Sequence, residues 1–106
     1  MKLKEISVQD LKEKKDNGEN FVLLDVRELF ELKKASIQPN THISMNMIPA
    51  KIDELDKKIP IYVICHTGVR SQYVTHFLEQ SGFDASNVRG GIHAWSINID
   101  PTVPMY

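Results

Sequence analysis

The chain predicts an α/β fold: a central, mostly parallel sheet of about five strands flanked by helices on both faces. Two apolar runs carry this expectation, Phe21-Val22-Leu23-Leu24 and Ile61-Tyr62-Val63-Ile64. Such runs, rich in branched residues, suit strands covered on both sides, as in parallel sheets. Each is followed by a polar loop and then a segment with helical spacing, the order that returns a chain to lay the next strand parallel to the last. At 106 residues the chain is expected to form one domain spanning residues 1–106.

Taken in order, Leu3 to Ile6 reads as a short first strand. Ser7-Val8-Gln9-Asp10 then starts a helix, with a hydroxyl at the cap and an acid in the first turn, and Gly18 closes it. The lysines between Lys12 and Lys15 read as a solvated helix face. Phe21 to Leu24 is a central strand expected beside the Ile61–Ile64 strand, and its end carries Asp25-Val26-Arg27-Glu28. A helix with Leu29 and Leu32 facing inward follows. Asp25 is expected in a structural ion pair holding strand ends rather than in catalysis.

The stretch from Ala35 to Pro49 carries the weakest signals. A strand is expected around Ile43 to Met47, and Ile52 and Leu55 suit a short helix before Pro60. From Ser71 onward Tyr73, Val74, Phe77 and Leu78 recur at helical spacing, and Gly82 is placed to stop that helix. Asn87-Val88-Arg89 gives a brief last strand. Gly90-Gly91-Ile92-His93-Ala94-Trp95 then begins a final helix, in which Trp95 is expected to be a core anchor. The prolines of the tail, Ile99 to Tyr106, keep it extended along the domain surface.

The chemistry gathers where the Ile61–Ile64 strand ends, at Cys65-His66-Thr67-Gly68-Val69-Arg70-Ser71. In open α/β sheets ligands bind beyond the carboxyl ends of the strands, and a helix starting there offers unpaired N–H groups and a positive dipole end. Cys65, the chain's only cysteine, faces that position. The thiolate, which is the nucleophilic form, is stabilised there by loop N–H groups and by Arg70 at the helix start, unless Arg70 pairs structurally with a carboxylate such as Glu31. Gly68 lets the loop adopt backbone angles closed to other residues, so that several N–H groups converge on one point. The same cradle suits a persulfide, which is also an anion.

Cys65 through Ser71 resembles the active-site loop of rhodanese-type sulfurtransferases. Asp25-Val26-Arg27-Glu28 with Glu31 resembles an earlier signature of that family, and Gly90-Gly91-x-x-x-Trp95 resembles a later one. The Ala35 to Pro49 region departs from the family pattern. The resemblance implies a rhodanese-like fold and a sulfurtransferase in which Cys65 accepts a sulfane sulfur, from thiosulfate for example, and passes it to a thiol or cyanide. It further implies Cys65 as the catalytic residue, substrate-binding roles for His66, Thr67, Gly68, Val69 and Arg70, and no cofactor. The partners it implies are a small sulfur donor and, as acceptor, a thiol or a sulfur-carrier protein. Four residues separate Cys65 from Arg70, one fewer than in Cys-based phosphatases, so the smaller ring favours sulfur over phosphate. A phosphatase or arsenate reductase, and a sulfur-presenting module without turnover, stand as alternatives.

Other classes are disfavoured. Thirteen basic residues against fourteen acidic ones leave no broad basic face for nucleic acid. A lone cysteine makes no internal disulfide, and His42, His66, His76 and His93 share no metal-ligand spacing. Met1-Lys2-Leu3-Lys4-Glu5 lacks the apolar run of a secretion signal and no segment approaches transmembrane length, so a cytoplasmic protein with no membrane contact is expected.

Overall fold

Parallel pairing runs through the whole of a five-stranded sheet in the computed structural model, which describes residues 3–106. Its strands are β1 (Glu5–Ile6), β2 (Val22–Asp25), β3 (Thr41–His42), β4 (Ile61–Ile64) and β5 (Ala85–Val88), in the spatial order β1-β5-β4-β2-β3. The two apolar runs become its centre: Leu24 lies beside Val63, and Asp25 beside Ile64. Cys65 therefore leaves the carboxyl end of a strand with neighbours on both sides.

Alternation along the central strands divides the core into two layers. Leu24, Val63, Cys65 and Ala85 pack with Val74, Leu78 and Ile48 on one face. Leu23, Ile64 and Val88 pack with Leu11, Ile92 and Trp95 on the other. Helices α3 (Ile48–Lys51) and α4 (Val69–Gln80) cover the first layer, and α1 (Val8–Asp16) and α5 (Gly91–Asn98) the second. Ser7 caps α1 by accepting from the Asp10 N–H at 3.0 Å, and Gly18 sits just beyond its end at φ +66°.

Two expectations change. The strand expected around Ile43 to Met47 is instead Thr41–His42, and Met45–Met47 forms a 3-10 turn. Regular pairing stops after Asp25–His42, although the Ile43 and Met45 N–H groups still reach the Asp25 and Val26 carbonyls. Leu29 does not face inward: it is 57% exposed, Leu32 is only partly buried, and the buried residue of α2 (Leu29–Lys34) is Glu31. A charged partner beyond the strand ends outweighs the apolar pattern in orienting this short helix. In α4 the inward stripe is Ser71, Val74, Thr75 and Leu78, which leaves Tyr73 71% exposed and Phe77 at the surface. Among the described residues no helix is long and apolar enough to cross a membrane.

Candidate active site

Gly68 takes φ +103° at the start of α4, which turns the chain so that loop N–H groups point back at Cys65. The Gly68 N–H lies 3.1 Å from the Cys65 sulfur and the Ser71 N–H 3.3 Å from it. The first turn of a helix has no preceding carbonyls to serve, so the Ser71 N–H is free for this use. The Ser71 hydroxyl lies 3.2 Å from the same sulfur. Cys65 is 1% exposed, so its Sγ sits at the floor of the loop, surrounded by donors. Such an arrangement holds an anionic sulfur more firmly than a neutral one.

Behind the loop, α5 holds it by its carbonyls. The Ile92 N–H donates to the Cys65 carbonyl at 2.9 Å, and the His93 N–H donates to the His66 carbonyl at 3.0 Å. With these carbonyls fixed toward α5, the loop N–H groups are left facing the sulfur. Gly91 makes this approach feasible, because a Cβ there would stand 2.5 Å from both carbonyl oxygens at a backbone φ of +60°. Gly91→Ala is expected to cost roughly 1–3 kcal/mol in left-handed strain and a similar amount in overpacking. Thermal unfolding should register a Tm lower by more than about 8 °C.

The charged residues form a chain alongside. Arg27 is fully buried and donates to Asp25 through Nε at 2.9 Å and Nη2 at 2.7 Å. It also donates to the Ala35 carbonyl at 2.8 Å and the Tyr106 hydroxyl at 2.8 Å. Tyr106 in turn donates to Glu31 at 2.7 Å. Glu31 receives Arg70 through two bonds of 2.6 and 2.7 Å. Asp25 is thus in a structural ion pair, but its partner lies two residues on in the same segment, so the pair does not itself hold two strand ends, and Arg27 carries the tie on to Ala35 and Tyr106. Arg70 sits at the loop but gives its guanidinium to Glu31, tying α4 to α2.

Hydrogen bonds from Arg70 pull the Glu31 carboxyl down to about 2; burial opposes them and the Tyr106 hydroxyl adds to them. The same pairing raises Arg70 above its ordinary value. An unfolded chain protonates Glu31 in the ordinary carboxylate range near 4.5, before the folded chain does, so this contribution to stability is complete above that range and drains away between about 4.5 and 2. Acid titration of the unfolding midpoint should show this loss in the parent protein and lack it in Glu31→Gln.

Of the residues singled out in the sequence, Cys65 and Gly68 are buried in the loop, His66 and Arg70 lie half-buried at its rim, and Thr67 and Val69 are exposed there. Two further residues, Tyr106 and Asn87, enter that the sequence did not single out for the site, and Glu31 takes a place beside Arg70. The Tyr106 ring stacks on His66, with centroids 4.1 Å apart and planes 10° from parallel, so the tail returns to the loop mouth instead of only following the surface. Glu31, one carboxylate with which the sequence reading allowed Arg70 to pair, is its acceptor. Asn87 on β5 accepts from the Ser71 hydroxyl and donates to the Gly68 carbonyl at 3.3 Å. A polar amide inside a short central strand is the one sequence signal that could have flagged it. No cluster of groups suited to a metal ion occurs among the described residues.

The rhodanese-like domain family matches residues 7–98 of the chain. YtwF of Bacillus subtilis, whose name proposes a sulfurtransferase, is 42% identical over 101 residues, covering 95% of this chain and 98% of its own. YrkF of the same organism, whose name proposes a sulfur carrier protein, is 37% identical over 87% of this chain, which spans about half of that longer relative. A rhodanese-like domain protein from Staphylococcus aureus superposes with a TM-score of 0.86 at 34% identity, covering 98% of this chain and 99% of that one.

Proposed function

This chain belongs to the rhodanese-like domain family, and on that premise we propose that it is a sulfurtransferase working through a persulfide on Cys65. The observation that carries this reading is the convergence of the Gly68 and Ser71 N–H groups on a single buried sulfur.

The Cys65 thiolate attacks the outer sulfur of a sulfane donor. With thiosulfate, the donor S–S bond breaks, sulfite leaves with the bonding pair, and a new S–S bond forms at Cys65. A thiol or cyanide then attacks the outer sulfur of the persulfide, takes it as a persulfide or thiocyanate, and returns the thiolate. Two displacements balance without an external oxidant or reductant. Gly68 supplies backbone geometry and an N–H, while His66, Thr67 and Val69 form the rim that selects what reaches the sulfur. Arg70 adds positive potential at the mouth, and its pairing with Glu31 makes it a fixed charge rather than a mobile clamp. The acceptor class extends to a sulfur-carrier protein that presents a thiol, in keeping with the sulfur carrier name of one relative. We place this activity in a single domain of residues 1–106 working in the cytoplasm.

Thiocyanate formation from thiosulfate and cyanide tests the proposal, with aryl phosphate hydrolysis measured in parallel. Saturable thiocyanate formation with negligible hydrolysis is expected. Phosphate turnover without sulfur transfer, from thiosulfate or any other sulfane donor, would overturn it.

A further inference from the structure

Asn87 is an unusual residue for its place. It lies on β5 beside Val63, two residues before Cys65 on the neighbouring strand, and it is 1% exposed. A buried amide costs free energy unless its groups are bonded, and an apolar branched residue would suit the strand better. The orientation of the amide follows from its partners. The Gly68 carbonyl can only accept, so Nδ2 faces it, and Oδ1 is left to accept from the Ser71 hydroxyl. Gly68 and Ser71 are the two residues whose N–H groups reach the Cys65 sulfur. One side chain from an adjacent strand therefore grips both of them.

We propose that Asn87 is a positioning residue for Cys65, bridging Gly68 and Ser71 so that their donors converge on the sulfur. This rests on the reading of Cys65 as the nucleophile. Asn87 touches neither substrate nor sulfur and acts through its two partners. Without the amide the loop can relax outward, and the donor geometry that favours the anion is lost.

The test uses Asn87→Leu, close in size but unable to bridge, with Asn87→Thr, which suits a strand but is too short to reach both partners, as the second variant. Thiolate absorbance is followed against pH, using Cys65→Ser as the blank, and is assignable because the chain has one cysteine. The midpoint is expected to move upward by about one pH unit in each folded variant, a tenfold loss of thiolate below it. In a Ser71→Ala background the shift should shrink, since one of the two contacts through which Asn87 holds the loop is then already gone. A lowered Tm with an unmoved midpoint would make Asn87 a packing residue only and overturn the proposal. The absorbance does not depend on sulfur transfer, so an upward shift in a protein that never loads sulfur would sustain the role of Asn87 while removing the sulfurtransferase reading.

Discussion

Replacing Cys65 with serine is expected to bring sulfur transfer to the uncatalysed level while the protein stays folded. A hydroxyl is far less nucleophilic toward sulfur than a thiolate, and a Ser–O–S adduct is no substitute for a persulfide. The remaining donors, Gly68 and Ser71, bind an anion but have no sulfur to which a sulfane atom can attach. Serine is close in size to cysteine, and the same N–H groups can donate to its oxygen. Unfolding should therefore change by about 1 kcal/mol, an ordinary single-residue effect. Thiocyanate formation and circular dichroism of the variant decide this together. Turnover near the parent rate in a folded variant would show that another group carries the sulfur.

The second large effect is on stability. Arg27 and Asp25 are 0% and 2% exposed, and every nitrogen of the guanidinium has a partner among Asp25, Tyr106, Ala35 and the more distant Glu31 carbonyl. Arg27→Met leaves the Asp25 carboxylate buried without its counter-charge, a change that typically costs about 3–5 kcal/mol. For a domain of this size that is a large share of the total and corresponds to a Tm lower by well over 10 °C. Pairing it with Asp25→Leu should restore much of the loss, because the remaining buried charge is then removed as well. A Tm for Arg27→Met within a few degrees of the parent would mean that water reaches Asp25 when the arginine is gone.

The two outcomes separate what the sequence could and could not reveal. The strands β2 and β4 were legible because burial on both faces leaves an unbroken apolar run. The loop was legible because cysteine, glycine, arginine and serine follow such a run at the start of a helical period. The pair Gly90-Gly91 was legible as a turn, but its reason is tertiary: Gly91 has no Cβ because the Cys65 and His66 carbonyls occupy that space. Glu31 was legible as a carboxylate able to pair with Arg70, but its burial was not, since helical spacing points to Leu29 and Leu32 and only the position of Arg70 across the fold explains an inward carboxylate. Tyr106 stacks on a residue forty positions earlier, a contact no local pattern can announce. Ile43 to Met47 failed as a strand because a branched apolar residue fits a buried turn as well as a ladder, and pairing partners decide between them.

The measurement closest to the central claim is the intact mass of the protein after incubation with a sulfane donor such as thiosulfate. One added sulfur atom is expected, located on Cys65 by fragmentation, absent in Cys65→Ser, and removed by cyanide with release of thiocyanate. An unchanged mass with every sulfane donor tried, from a protein whose Cys65 is reduced and accessible to a small alkylating reagent, would contradict it.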